Sequence, residues 1–158
     1  MSRTANSLSD RSSLGQRRGV ALVEGAFALP VVLLMLFALL DLGLATVRYN
    51  SLAEAARQIA REAIIHGSLS PQQSQAWGPD EYLGTAASAD GIVQRAAGLL
   101  PTMRPEEVQV RVTWPDNGNS PRDQVRVEVT YRHDPLVPGL FAWGSIDLRS
   151  SALMRIVN

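Results

Sequence analysis

The side chain best placed to do chemistry is Glu24, the only charged residue in an apolar run that covers positions 20–40. A carboxylate in membrane hydrocarbon costs roughly 3 kcal/mol on insertion-based scales unless a cation pairs with it. If a peptidase cut the chain between Gly19 and Val20, the new amine of Val20 would lie one helical turn from Glu24, on the same face. A processing site at Gly19 and Val20 would thus give Glu24 a role, because the amine of the same or a neighbouring subunit could neutralise it.

Other chemistry finds little support in the sequence. The chain has no cysteine, which excludes disulfides and thiol catalysis, and its two histidines, His66 and His133, have no second ligand at metal-like spacing. It has no G-x-S-x-G, phosphate-loop or H-E-x-x-H motif. The acidic pairs Asp80-Glu81 and Glu106-Glu107 are typical of solvated surface. We therefore expect no catalytic residue, metal, cofactor or small-molecule substrate.

Composition limits the size and the partners of the protein. With 158 residues the chain suits one modest domain and an appendage. Fifteen basic residues balance fifteen acidic ones, so the net charge is zero. The chain as a whole offers no strongly basic surface, and we expect no nucleic acid as a partner.

The apolar run is long enough to cross a membrane, because a helix over 20–40 spans about 30 Å. Basic residues precede the run and Asp41 follows it. The basic residues are Arg3, Arg11, Arg17 and Arg18. Because basic flanks stay on the cytoplasmic side, we expect a single pass through the inner (cytoplasmic) membrane. The N-terminus would be cytoplasmic and the C-terminal domain periplasmic or extracellular.

Three simpler interpretations of the run compete with processing at Gly19. An ordinary secretory signal, cut near Gly43-Leu44-Ala45, would have an apolar region of only about 7–15 residues and rarely a carboxylate inside it. A twin-arginine export signal at Arg17-Arg18 lacks a following prosthetic-group fold. A plain membrane anchor fits the apolar run but leaves Glu24 without a role.

Short motifs follow one another in a fixed order around Glu24: Arg18-Gly19, Val23-Glu24, an alanine, Leu29-Pro30 and then an aliphatic run. Asp41-Leu42-Gly43 lies further along. This order resembles the TadE-like minor pilins (pseudopilins) of tight-adherence (Tad/Flp, type IVb) pili, and the resemblance covers positions 17–65. Gly25 departs from it, since the family more often has phenylalanine there.

The resemblance implies a structural and assembly role in pilus biogenesis, with prepilin peptidase and other pilins or pseudopilins as partners. The chain is longer than the major pilins of such pili, which favours a minor component. The resemblance leaves open whether cleavage occurs and whether the chain enters the filament. The alternative is an uncleaved, membrane-anchored binding module outside the cytoplasm; a secreted enzyme is a remote third possibility.

The organisation that we predict is a basic leader over 1–19, a long helix over 20–66 and an extracytoplasmic domain over 67–158. Apolar residues recur at helical spacing up to His66, and Gly67 is typical of a helix end. Pro30 and Gly43 are candidate kinks in this helix. Residues 68–84 are rich in Ser, Gln, Pro and Gly and are expected to form a loop. Residues 86–100 are predicted to form a second, shorter helix.

Two runs with apolar residues at every second position predict strands with one buried face, over 108–114 and 125–131. The segment 115–122 suits the hairpin loop between them, and a last strand is expected within 146–157. The predicted fold is therefore α+β and pilin-like, with helices on a small antiparallel sheet of about three strands. The apolar segment 134–143 is expected to cap the core rather than dock a partner. Trp77 and Trp114 are likewise expected in the core.

Overall fold

A computed structural model of the protein describes residues 7–70, 76–88, 90–94, 96–139 and 144–157. Side chains of the first helix are described at Gly19 and from Leu22 onward. The elements are, in chain order, α1 (Ser7–Ile65), β1 (Tyr82–Thr85), α2 (Gly91–Gln94), two 3₁₀ turns (Ala97–Leu99 and Pro105–Glu107), β2 (Gln109–Thr113), β3 (Gln124–His133) and β4 (Ile146–Arg155). The fold is α+β, as predicted.

The chain divides into two compact units, Met1–Leu40 and Asp41–Asn158. In the first unit α1 carries large apolar side chains that the protein does not cover, including Leu22 at 75% exposure and Phe27 at 76%. Pro30 and its missing N–H lie inside the helix. The first unit thus has no apolar core of its own in its described part.

In the second unit, α1 buries a face made mostly of alanine. The buried residues recur at the three- and four-residue spacing of one helix face. They are Ala45, Leu52, Ala55, Ala56, Ile59, Ala60 and Ala63. Because alanine has only one methyl group, the helix backbone can approach its neighbours closely along this face. Exposed arginines such as Arg57 and Arg61 occupy the opposite side.

The four strands form one antiparallel sheet in the order β1-β2-β3-β4. Val110 pairs with Val129, and Val127 pairs with Ala152, so the register places apolar side chains of neighbouring strands on the same face. The valines of β2 and β3 are fully buried and alternate with exposed polar residues. Burying each such side chain contributes roughly 1.5–3 kcal/mol, so this inner face holds the core together.

Three elements differ from the sequence prediction. The sheet has a fourth strand, β1, inside the end of the segment that we expected to be a loop. In place of a helix over 86–100, the described residues show only α2 and one 3₁₀ turn. Gly91 and Gly98 weaken helix formation there, by about 1 kcal/mol each relative to alanine. Helix α1 begins at Ser7, before the predicted start at position 20.

The expected core aromatics are only partly found. Trp114 is 4% exposed and lies in the core, while Trp77 is half-buried and its ring stacks on His66 with the ring centroids 3.9 Å apart. The prediction was wrong for Leu136, which is half exposed because its segment turns out from the end of β3. The other predicted capping residues, Leu140, Phe141 and Trp143, lie outside the described part of the chain.

Candidate functional site

The predicted processing site lies in the N-terminal part of α1. The backbone is helical at Gly19, Val20 and Glu24, so Val20 and Glu24 are one turn apart. Glu24 is exposed, and no hydrogen bond or ion pair joins it to another described side chain. The carboxylate is therefore available to a partner from outside its own helix or to an amine created at Val20. Cleavage itself stays a prediction.

The surroundings of Glu24 are apolar on every side of the helix. Large side chains from Leu22 to Leu40 are between 37% and 76% exposed. In the part of the chain that the structure describes, one helix is long and apolar enough to cross a membrane, within Leu22–Ile65. Exposed apolar surface of this extent needs a non-aqueous environment, which indicates membrane anchoring.

The glycines near this site are not required by the packing of the chain. A Cβ atom added at Gly19 or at Gly25 would meet no other atom within 4 Å. Gly19 also lies in ordinary helix, where glycine is less favourable than alanine by about 1 kcal/mol. Packing within the described part of the chain therefore gives no reason for a glycine at position 19.

A second polar cluster lies where α1 enters the sheet domain, and we call Asp41, Arg48 and His133 the anchor cluster. Asp41 is 4% and His133 1% exposed. The Arg48 guanidinium donates to His133 Nδ1 at 2.6 Å and to the Thr102 carbonyl at 3.2 Å. Asp41 Oδ1 accepts the Leu136 N–H at 2.9 Å and lies 3.6 Å from His133 Nε2. The cluster ties α1 to the end of β3 and to the loops beside it.

The hydrogen bond from Arg48 indicates which ring nitrogen of His133 accepts. Arginine has only N–H donors, so His133 Nδ1 must accept, and a neutral imidazole then carries its proton on Nε2. That proton faces Asp41 at 3.6 Å, too long for a hydrogen bond but close enough for electrostatic attraction in a buried setting. With His133 almost fully buried, a substrate has no access to its ring. The anchor cluster is therefore a structural contact.

Sequence analysis missed the anchor cluster. It treated His133 as a lone histidine and Asp41 only as a flank of the apolar run. The available signal was the pairing of a charged residue at the end of an apolar helix with a histidine at the end of a strand. The sequence alone does not bring those two positions together.

Elsewhere the ionisable groups are modestly perturbed. Partial burial, with a hydrogen bond to Asp90, raises the pKa of Tyr82, and the hydrogen bond from Arg57 lowers the pKa of Glu54. Both are ordinary effects of neighbouring groups. Within the described residues, no group of three histidine, aspartate or glutamate side chains could hold a metal ion.

Comparison with known proteins agrees with the sequence motifs. Residues 19–61 match the family model described as TadE-like protein. Comparisons with curated proteins and with solved structures returned no match. The matched segment begins at Gly19 and includes Glu24, Asp41 and most of the alanine face. The segment 19–61 is therefore similar to TadE-like proteins, and the resemblance inferred from the motifs around Glu24 is confirmed.

Proposed function

We propose that this chain is a minor pseudopilin with a structural role in assembling a tight-adherence pilus, processed by a prepilin peptidase between Gly19 and Val20. The observation that carries the proposal is Glu24, an exposed carboxylate in an exposed apolar helix, inside the segment that matches the TadE-like family. Such a family associates the chain with the membrane and with pilus machinery rather than with catalysis.

The proposed role of Glu24 follows from its environment. In the membrane a lone carboxylate is unfavourable, whereas a carboxylate facing an amine is neutralised. Processing at Gly19 would create that amine one turn away. A new subunit could then insert its helix beside an assembled one and exchange amine partners, which makes the charge pair a guide to helix register.

Small residues near Glu24 support close packing with another helix. Gly25, Ala26 and Ala28 are exposed, and they leave part of the helix surface without large side chains. In membranes, such small residues allow helix backbones to approach one another. We infer that the partners are other pilins or pseudopilins, with the N-terminus cytoplasmic and the sheet domain outside the inner membrane.

The experiment replaces Glu24 in a native host that lacks the wild-type chain. Glu24→Leu should insert in the membrane at wild-type level but fail to restore pili, because the amine of Val20 loses its carboxylate partner. Glu24→Gln should also fail, since it keeps the shape and removes the charge. Phe27→Leu, a change on the same exposed helix, is the matched control and should restore pili.

Surface pili and membrane levels of the chain are measured together. Full restoration by Glu24→Leu would contradict the assembly role and would favour the uncleaved, anchored binding module, in which the helix needs only to be apolar.

A further inference from the structure

The sheet ends on both sides in a strand with one unpaired edge. β1 pairs only with β2, and β4 pairs only with β3, among the residues that the structure describes. β4 is ten residues long. A long unpaired edge presents a row of backbone N–H and C=O groups that another strand can bind.

Backbone hydrogen bonds show which residues face these free edges. The Ala86 N–H donates to the Val108 carbonyl at 2.9 Å, one residue beyond the end of β1. In an antiparallel ladder bonded positions alternate, so Leu83 directs its N–H and C=O away from β2. The Ile156 N–H donates to the Asp123 carbonyl at 2.8 Å, and the same alternation directs the backbone groups of Leu153 away from β3.

The side chains of Leu83 and Leu153 also suit a contact between two copies. Leu83 is 64% and Leu153 51% exposed, and both lie on the outer face of the sheet, away from the core. If β1 of one copy lay antiparallel to β4 of another with these leucines opposite, Glu81 would lie opposite Arg155. Glu81 belongs to the outer face, because it pairs there with Arg111 at 3.4 Å. Arg155 is exposed and has no ion pair among the described side chains.

In the same register, residues on the inner face of β1 in one copy would also match residues on the inner face of β4 in the next. Tyr82 would lie opposite Met154, and Gly84 opposite Ala152, and the methionine and the alanine are only half-buried in the single chain. A shift of two residues would place Leu83 against Arg155 or against Ser151 and would lose the ion pair. A shift of one residue would turn the apolar side chains to the wrong face.

The strand directions allow the copies to associate while all of them keep the same orientation in one membrane. In an antiparallel sheet of four strands, β1 and β4 run in opposite directions, so the β1 of a translated copy is antiparallel to β4. Successive copies then keep the same orientation, as chains inserted in one membrane must. A two-fold pairing of β4 with β4 would instead reverse the direction of the helix residues that pack on the sheet.

We propose that copies of this chain associate head to tail, with the β1 edge of one copy extending the sheet at the β4 edge of the next. The contact pairs Leu83 with Leu153 and Glu81 with Arg155. Because each copy keeps a free edge, the association is open-ended and forms rows of copies. It goes beyond the proposed pilus role and does not depend on processing at Gly19.

Disulfide trapping tests the contact in the full chain in native membranes, since the protein has no cysteine. Within one copy, positions 83 and 153 lie on opposite edges of the sheet, three strand spacings or about 14 Å apart, too far for a disulfide. Oxidation of the Leu83→Cys, Leu153→Cys double variant should therefore give a ladder of dimers and larger products. The out-of-register pair Leu83→Cys with Arg149→Cys, and each single variant, should stay monomeric.

A charge exchange between positions 81 and 155 distinguishes loss of the ion pair between copies from damage to the fold. Adding Glu81→Arg to the double variant should lower the cross-linked fraction severalfold, and further adding Arg155→Glu should restore it, although the pair with Arg111 stays lost. Only monomer, equal cross-linking of the Arg149 control, dimers of Leu153→Cys alone, or products that contain a different protein would each overturn the head-to-tail contact between β1 and β4. None of these results would change the assignment of Gly19 and Glu24.

Discussion

Two carboxylates of α1, Glu24 and Asp41, differ in their burial and in their partners. Glu24 is exposed and finds no partner among the described residues, whereas Asp41 is buried and holds the Leu136 N–H. A buried acid with partners in its own chain stabilises that chain, and an unpartnered one in apolar surroundings needs a partner from elsewhere. Asp41 therefore belongs to the fold, and the role that we propose for Glu24 is in assembly.

Removal of Asp41 should destabilise the sheet domain. Asp41→Ala leaves the Leu136 N–H without its acceptor and leaves the buried His133 and its partner Arg48 without a neighbouring negative charge. A cost of about 1–3 kcal/mol is expected, which thermal unfolding of the full chain in detergent would measure. Asp41→Asn, which keeps an acceptor oxygen, should cost less.

Glu106 supplies the control for this change, because it is an exposed acid in a 3₁₀ turn of the same domain. Glu106→Ala should leave the unfolding temperature unchanged. If Asp41→Ala unfolds at the wild-type temperature, the anchor cluster does not stabilise the fold.

The sequence suggests a role for Glu24 but none for Asp41. Glu24 is informative by itself, since a charge inside an apolar run is conspicuous and its spacing from Gly19 is local. The anchor cluster depends on a contact between α1 and the end of β3, and local patterns do not report contacts between residues so far apart in the chain. The burial of His133 could therefore not be predicted from the sequence.

At the scale of elements, the alanine face of α1 determines how closely the helix packs in the second unit. Ala56 and Ala60 are fully buried, so other atoms of the protein cover the helix surface at both positions. A larger side chain at such a position must displace a neighbouring element or adopt a strained rotamer.

Ala56→Leu should therefore lower the free energy of unfolding by about 1–3 kcal/mol. The matched change on the exposed side, Arg61→Leu, introduces the same side chain without overpacking and should have little effect. Denaturant unfolding of both variants, followed by circular dichroism, provides the measurement. Equal stability of the two variants would show that the alanine face is not tightly packed.

Regular periodicity explains which elements the sequence could predict. The valines of β2 and β3 alternate with polar residues over enough positions to indicate strands, and the long apolar run indicates a helix. β1 has only four residues, including Gly84, and its partner is β2, which follows it by more than twenty positions. A strand that short is stabilised by its neighbour rather than by its own pattern, so the sequence predicted a loop.

At the scale of the whole molecule, the family match and the sheet domain carry different information. The TadE-like match covers 19–61 and ends within α1, before the first strand. The segment it covers holds the proposed processing site and the carboxylate for assembly. The sheet domain that follows supplies two complementary edges, which the sequence alone did not reveal because edges depend on strand order.

We propose that this chain is a prepilin-type protein cut between Gly19 and Val20, which would give Glu24 its amine partner. The most direct test is the N-terminal residue of the protein recovered from the membranes of its native host, read by sequencing or by mass spectrometry of the N-terminal peptide. We predict Val20. A chain that begins at Met1, or near Thr46 as after an ordinary secretory signal, would contradict it.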